Sequence, residues 1–236
     1  MRPLAIIPAR TGSRGIPEKN HKSLGGRWTP TERAIQVARE AGCRVFLTTD
    51  APALVWPAGV DDAGVDDIYR QTSLHTDTSA MIDIVKDALS ITEESLILLL
   101  QPTQPLRTVD HVRKAIEFLT ATPRPDSVVS VVQVPVRYHP LYQICTQSDG
   151  KTQRFRRCMG SLVDFPARRQ TLEAEPTYIR DGTVYGFWRE TVEKYGNIYG
   201  LKGVPLIIPP HETSPLDTLE DWKLAEQLLQ ARAEVH

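Results

Sequence analysis

The chain predicts a doubly wound α/β domain on a mainly parallel sheet, and three features carry that prediction. Residues 1–50 run strand, loop, helix, strand, the order of a βαβ unit. Ser95 to Leu100 is wholly apolar after its serine, which suits a strand buried on both faces of a parallel sheet. The length of 236 residues fits one large α/β domain with room for a small appendage.

The elements follow in order. Leu4 to Ile7 is a short apolar strand that Pro8 stops. A loop follows, then a turn-rich basic piece from Lys22 to Arg27. Thr31 is placed to cap a helix reaching about Ala41, with Ala34, Ile35 and Ala38 on one side and Gly42 beyond its end. Arg44 to Thr48 is a second strand, ending in Thr48-Thr49-Asp50. Pro52, Pro57, Gly59 and Gly64 break residues 51–70. The acidic cluster there, Asp61, Asp62, Asp66 and Asp67, lacks calcium-loop spacing and reads as a solvated face.

Asp77 to Leu89 is expected to form a capped helix, with Ile82, Val85 and Leu89 at helical spacing. The strand ending at Leu100 runs straight into Gln101-Pro-Thr-Gln-Pro-Leu-Arg107. Thr108 caps the next helix, whose stripe is Val109, Val112, Ile116 and Leu119. Ser127 to Val132 is a β-branched strand. From Pro135 the texture changes. Val136 to Pro140 is a polar and aromatic turn, Leu141 to Thr146 a strand, and Ser148-Asp-Gly150 a turn. Residues 151–180 carry Arg154, Arg156, Arg157, Arg168, Arg169 and Arg180 with little periodicity, and read as an extended arm or a lid. Thr183 to Trp188 and Val204 to Ile208 are strands. Thr218 caps a final amphipathic helix with Leu219, Trp222, Ala225 and Leu229.

Composition narrows the function classes. Apolar residues make up 41% and charged residues 24%, ordinary values for a soluble globular protein. A net charge of −1 gives no broad electrostatic case for nucleic acid or membrane as a partner, so any anion site must be local. Cys43, Cys145 and Cys158 are odd in number and widely spaced, with no zinc pattern. They read as reduced thiols of a cytoplasmic protein. Neither a signal peptide nor a membrane span is expected.

The local anion site is the loop after the first strand. In open α/β sheets, ligands bind at the carboxyl ends of strands. Gly12 and Gly15 let the backbone turn and bring its N–H groups to an anion. Arg10, Arg14 and Lys19 supply the positive charge a polyphosphate requires. The loop is neither a P-loop nor a dinucleotide fingerprint.

Arg10, Gly12, Ser13, Gly15, Pro17, Lys19 and Asn20 together resemble the N-terminal motif of the acylneuraminate cytidylyltransferases, the CMP–sialic acid synthetase family. Arg14 stands where that family usually has Lys. The resemblance recurs in order along nearly the whole chain. It includes Thr49-Asp50, Asp77-Thr78, Leu98 to Arg107 (close to the family's Leu-Leu-Gln-Pro-Thr-Ser-Pro-Leu-Arg), His139-Pro140, Arg169-Gln170, Gly182 with Tyr185, and Asp217-Thr218 before Glu220-Asp221-Trp222.

The resemblance implies a Rossmann-like fold of the nucleotide-diphospho-sugar transferase type. It would be a single nucleotidyltransferase domain over residues 1–236, with an inserted arm at about 136–182. It implies transfer of CMP from CTP to an acidic, nonulosonic-type sugar, releasing pyrophosphate. Such transfer needs positioning and charge neutralisation more than covalent catalysis.

By resemblance, Arg10, Lys19 and Asp217 are catalytic. Arg10, Gly12, Ser13, Arg14, Lys19, Asn20 and Asp77 bind the nucleotide, with Asn20 helping to read the base. Gln101, Arg168, Arg169, Gln170 and Tyr185 bind the sugar. Arg169 is the candidate for its carboxylate, because a guanidinium can pair with both oxygens. Asp217 is the candidate ligand of Mg²⁺, the implied cofactor. An arm that reaches the partner subunit's site implies a homodimer.

Besides Arg14 and Gln104, other places depart from the family pattern. Pro215 stands where the usual Asp-x-Asp has its first carboxylate, which leaves Asp50 as a speculative helper for the metal. Trp28-Thr-Pro-Thr-Glu replaces an apolar stretch, and Ala80 and Met81 replace a serine pair. The region after Asp50 is shorter than usual. These departures keep two alternatives open. One is a related nucleotidyltransferase with another nucleotide or a non-sugar acceptor; the other is a catalytically weakened nucleotide-binding homologue.

Overall fold

The computed structural model describes residues 2–12, 15–50, 66–69, 80–148, 153–157, 172–173 and 176–234. The described strands are β1 (Leu4–Pro8), β2 (Arg44–Thr48), β3 (Asp67–Tyr69), β4 (Leu96–Leu99), β5 (Ser127–Gln133), β6 (Ile144–Ser148), β7 (Gln153–Arg157), β8 (Tyr178–Trp188) and β9 (Gly203–Ile207). The described α-helices are α1 (Pro30–Glu40), α2 (Met81–Ser90), α3 (Val109–Thr120), α4 (Arg189–Tyr195) and α5 (Leu219–Glu234). Seven strands form one sheet in the order β3-β2-β1-β4-β8-β5-β9. β8 is antiparallel to β4 and β5, and the other pairs are parallel. Among the described residues, β6 and β7 pair only with each other, antiparallel.

Strand periodicity explains why the sheet is covered on both sides. Ala5 and Ile7 of β1, with Leu96 and Leu98 of β4, join a core closed by Ala34 and Ala38 of α1 and Val112, Ala115 and Leu119 of α3. Their neighbours Leu4, Ile6, Ile97 and Leu99 point the other way, against Val85, Ala88 and Leu89 of α2 and Val192 of α4. A strand with both faces buried must be apolar throughout, as Leu96–Leu99 is. Each such side chain contributes about 1.5–3 kcal/mol on burial. The doubly wound, mainly parallel sheet is therefore as the sequence predicts. A third cluster, Ile16, Leu24, Leu216, Trp222 and Ala225, packs α5 against the loop after β1.

Several local expectations are corrected. The cap of α1 is Thr29, not Thr31. The Thr29 side chain accepts from the Glu32 N–H at 3.1 Å, the Glu32 carboxylate accepts from the Thr29 N–H at 2.6 Å, and Pro30 opens the helix. Thr31 instead donates its hydroxyl to the Asn20 carbonyl. α2 begins at Met81 with Ala80 at its cap and no side-chain cap bond; Asp77 lies outside the described residues.

The strand expected at Leu141 to Thr146 is Ile144–Ser148. Two single-turn 3₁₀ segments, Val136–Tyr138 and Pro140–Tyr142, precede it, each starting after or at a proline. Arg154, Arg156 and Arg157, expected in an irregular arm, lie on β7. β8 begins at Tyr178, earlier than Thr183. Asp181-Gly182 interrupts its pairing with β5 without ending the strand, because Gly182 takes φ +81° in a bulge.

Candidate active site

The loop after β1 is tied down at both of its ends. The Ala9 N–H donates to the Thr48 carbonyl at 2.9 Å, and the Thr49 hydroxyl donates to the Ala9 carbonyl at 2.6 Å. The Asp50 carboxylate accepts from the Thr11 N–H at 2.8 Å and from the Thr11 hydroxyl at 2.6 Å. Both Asp50 oxygens thus serve the loop. Asn20, only 5% exposed, donates its amide to the Arg10 carbonyl at 2.9 Å, closing the base of the loop. Its side-chain oxygen is buried without a partner. Its own carbonyl takes the Thr31 hydroxyl at 2.7 Å. Arg10 and Gly12 lie on the loop between these ties, while Ser13 and Arg14 lie outside the described residues.

The far side of the loop meets the segment before α5. A Cβ on Gly15 would lie 2.2 Å from the Asp217 carbonyl oxygen, so only glycine permits this approach. Lys19 donates its ammonium to the Leu216 carbonyl at 2.8 Å and stands 3.7 Å from the Asp217 carboxylate. The Asp217 side chain is 76% exposed, whereas that of Lys19 is 17% exposed. Behind them, Thr218 and Asp221 cap α5 reciprocally: the Asp221 carboxylate accepts from the Thr218 N–H at 2.8 Å, and the Thr218 hydroxyl accepts from the Asp221 N–H at 3.2 Å. The backbone of Asp217 is fixed and its carboxylate is open to solvent.

The third wall is Gln101 to Arg107, at the end of β4. Arg107 is buried. It donates to the carbonyls of Thr183 at 2.5 Å and Gln101 at 2.6 Å. Burial pushes its pKa down to about 9, with Asp181 opposing, so it stays charged at neutral pH and locks the loop to β8. Gln104 donates to the Asp181 carbonyl and accepts from the Thr213 hydroxyl at 3.3 Å. The Leu216 N–H donates to the Thr103 carbonyl at 2.9 Å. Gln101 faces Gly182, where a Cβ would come within 3.1 Å of its side-chain oxygen.

The structure therefore gathers Gly15, Lys19 and Asp217 at one junction, with Gln101 to Gln104 beside it. Tyr185, half-buried on β8, lies against the α2 and α4 side of the sheet beside Leu99. Burial pushes its phenol pKa up. Asp77, Arg168, Arg169 and Gln170 lie outside the described residues. No group of three or more His, Cys, Asp or Glu suited to a metal occurs among the described residues. Sequence reasoning missed Thr11, Gln104, His111, Glu212 and Thr213. The Gln-for-Ser exchange at position 104 was the available signal; Glu212 and Thr213 carried none.

These features define a class first. A sheet wound on both faces, with a basic glycine loop at the carboxyl end of β1, has the architecture of a nucleotidyltransferase. The solved structure of CMP:2-keto-3-deoxy-manno-octonic acid synthetase complexed with CTP shares this fold. Its TM-score is 0.70 over 98% of this chain and 100% of that one, at 16% identity. The sequence profile described as "Cytidylyltransferase" matches residues 4–232, and the chain belongs to that family, a nucleotidyltransferase enzyme. It is 31% identical over 245 aligned residues to the CMP-N,N'-diacetyllegionaminic acid synthase of Legionella pneumophila, covering 99% of both chains. It is 29% identical to the N-acylneuraminate cytidylyltransferase of Streptococcus agalactiae serotype V, over 94% of this chain and 52% of that protein. The chain thus spans about half the length of the streptococcal relative.

Proposed function

We propose that this protein transfers CMP from CTP to an acidic nonulosonic sugar, releasing pyrophosphate. The observation that carries this reading is the junction of Lys19 and Asp217 at Leu216, one cation and one carboxylate where the glycine loop meets the last helix. The full-length similarity to the Legionella synthase supports the substrate class.

Arg10, Gly12, Ser13, Arg14, Lys19, Asn20 and Asp77 bind the nucleotide in this reading. Lys19 exchanges its carbonyl and carboxylate partners for phosphate oxygens, and the pinned loop holds backbone N–H groups toward them. Gln101 and Tyr185 orient the sugar. Arg168, Arg169 and Gln170 receive it from the arm, with Arg169 on its carboxylate. The sugar hydroxyl then attacks the α-phosphorus and pyrophosphate leaves.

Asp217 fits Mg²⁺, an ion that takes one or two protein carboxylates and completes its shell with phosphate and water oxygens. Its exposed carboxylate on a fixed backbone suits that donor set. When bound, the ion neutralises charge on the phosphates.

The test is incubation with CTP, Mg²⁺ and a panel of acid sugars, following pyrophosphate and CMP-sugar. Release with one sugar is expected; no release with any would overturn the proposal. Pro215 favours a second reading, a nucleotide-binding homologue with weakened turnover. In that case Pro215→Asp raises turnover roughly tenfold.

The remaining assignments are one domain over residues 1–236, an arm at about 136–182, a homodimer and a cytoplasmic setting. Tyr138, Ile144, Tyr178 and Ile179 are exposed. A groove of about 400 Å³ lined by Tyr138, Pro140, Tyr178 and Ile179 supports a self-association surface beside the arm. Light scattering on the purified chain checks it; a monomer at assay concentration overturns it. No described helix is long and apolar enough to cross a membrane.

A further inference from the structure

His111 stands in the first turn of α3, the helix that leaves the Gln101 to Arg107 loop, and it is 4% exposed. Its Nδ1 accepts from the Thr108 N–H at 3.3 Å, completing the reciprocal cap with the Thr108 hydroxyl. That contact assigns the ring proton to Nε2, which lies 2.7 Å from the Glu212 carboxylate. Glu212 closes the short 3₁₀ turn Pro210–Glu212, directly before the segment that ends in Asp217. Downstream, Thr213 bonds Gln104, Ser214 and Leu216 are buried, and the Leu216 N–H bonds the Thr103 carbonyl. The His111–Glu212 contact is the first of a row of ties between the same two pieces of chain.

We propose that His111 and Glu212 are positioning residues, whose contact seats residues 213–217 on the Gln101 to Arg107 loop and so fixes where the Asp217 carboxylate stands. The link to catalysis rests on the role given to Asp217 above. A hydrogen bond to an ionised carboxylate is about twice as strong as a neutral one, which suits it to anchor a short segment that has no regular structure of its own.

The groups facing His111 are Glu212, Asp181 from β8 and Arg232 from α5; exposed His211 also flanks Glu212 at 3.5 Å. Burial lowers the His111 pKa while Glu212 and Asp181 oppose the shift, so the ring is neutral at pH 7. Protonation would place a second N–H on Nδ1, facing the Thr108 N–H, and break the cap. The Thr108 cap therefore holds above the ordinary histidine range and is lost as pH falls below about 6.5, while the bond from Nε2 to the Glu212 carboxylate keeps its donor.

The experiment uses the full chain with Glu212→Ala, Glu212→Gln and His111→Ala. Amide exchange of residues 213–218 is read without substrate, alongside the Mg²⁺ concentration for half-maximal turnover and the KM for CTP. Glu212→Ala should speed exchange in 213–218 well beyond any change in β1 or β4. It should also raise half-saturating Mg²⁺ roughly tenfold, with a smaller change in KM for CTP. Glu212→Gln keeps an acceptor without the charge and should restore about half of both. In the wild type, exchange in the first turn of α3, corrected for its intrinsic pH dependence, should rise below pH of about 6.5, and His111→Ala should remove that rise.

A uniform rise in exchange across the molecule with unchanged Mg²⁺ dependence would reduce the pair to scaffold and overturn the proposal. Unchanged exchange in 213–218 would overturn it too. The exchange arm needs no turnover, so a wild-type chain that transfers no CMP counts against the proposed function and leaves the tie to be decided by exchange alone.

Discussion

The loop after β1 is held by the strand beside it in the sheet, whereas the segment before α5 is held by groups more than a hundred residues away in the chain. Thr48, Thr49 and Asp50 sit at the end of β2 and take Ala9 and Thr11, so the same sheet register that builds the core also sets the loop. The approach to Asp217 depends instead on His111–Glu212 at a separation of 101 residues and Gln104–Thr213 at 109. A strand-anchored loop suits a general task such as holding a triphosphate. A segment tied by side chains can be changed one contact at a time without disturbing the sheet. It is the wall where Pro215 departs from the family pattern.

The largest effect is expected where the two walls share a charge. Lys19→Met removes the cation that now bonds Leu216 and stands beside Asp217. Loss of one preorganised donor to a transferring phosphoryl group costs on the order of 100-fold in kcat/KM. Steady-state kinetics check this, and Lys19→Arg should recover little, because a planar fork does not replace a compact ammonium. Full activity in Lys19→Met would separate the walls functionally.

Next comes the point where the backbones touch. Gly15→Ala puts a methyl 2.2 Å from the Asp217 carbonyl oxygen, so the walls must part. Overpacking of this kind costs about 1–3 kcal/mol. Turnover should fall with it, because Lys19 and Asp217 then lose register. Thermal denaturation and kcat together test whether the two losses travel as one. Asp50→Ala is milder and breaks only the near wall. Two bonds to a carboxylate are lost, so about 1–2 kcal/mol of stability should go. KM for CTP should rise more than the Mg²⁺ requirement, the reverse of Glu212→Ala.

The contrast also explains what could be read from sequence. Arg10, Gly12, Gly15, Lys19 and Asn20 stood out because their chemistry is local: glycines and cations within one loop after an apolar strand. The apolar run of β4 announced a strand buried on both faces, and it is one. The cap of α1 was misplaced by two residues although its signal was present. Thr29 has Glu32 three residues on, and that reciprocal pair, not the nearest threonine, decides the start of the helix. The expected strand begins at Thr183, whereas β8 runs from Tyr178, because Asp181-Gly182 is a bulge with strand on both sides. Glu212 was not legible at all. An acid after two prolines has no meaning until α3 brings His111 against it.

The smallest effect concerns His21 and His111, one on each wall. Both ring nitrogens of His21 are buried, and burial lowers its pKa, with Asp50, Glu18 and the Ala9 backbone opposing. His111 is lowered as well, and its nitrogens are both engaged. A histidine that holds its proton less well when folded gives stability that is complete above its unfolded pKa and is lost as pH falls below it. Stability of the wild type should therefore decline from about pH 6.5 downward, with both residues contributing. His21→Leu removes the near-wall share. It should flatten the upper part of that decline and cost little at pH 7, because leucine fills a buried site without needing a hydrogen-bond partner. The Mg²⁺ requirement should stay at its wild-type value. His111→Ala should flatten the same decline but raise the Mg²⁺ requirement. Chemical denaturation at a series of pH values, with Mg²⁺ titrations on both variants, distinguishes a histidine that is merely buried from one that holds a wall in place.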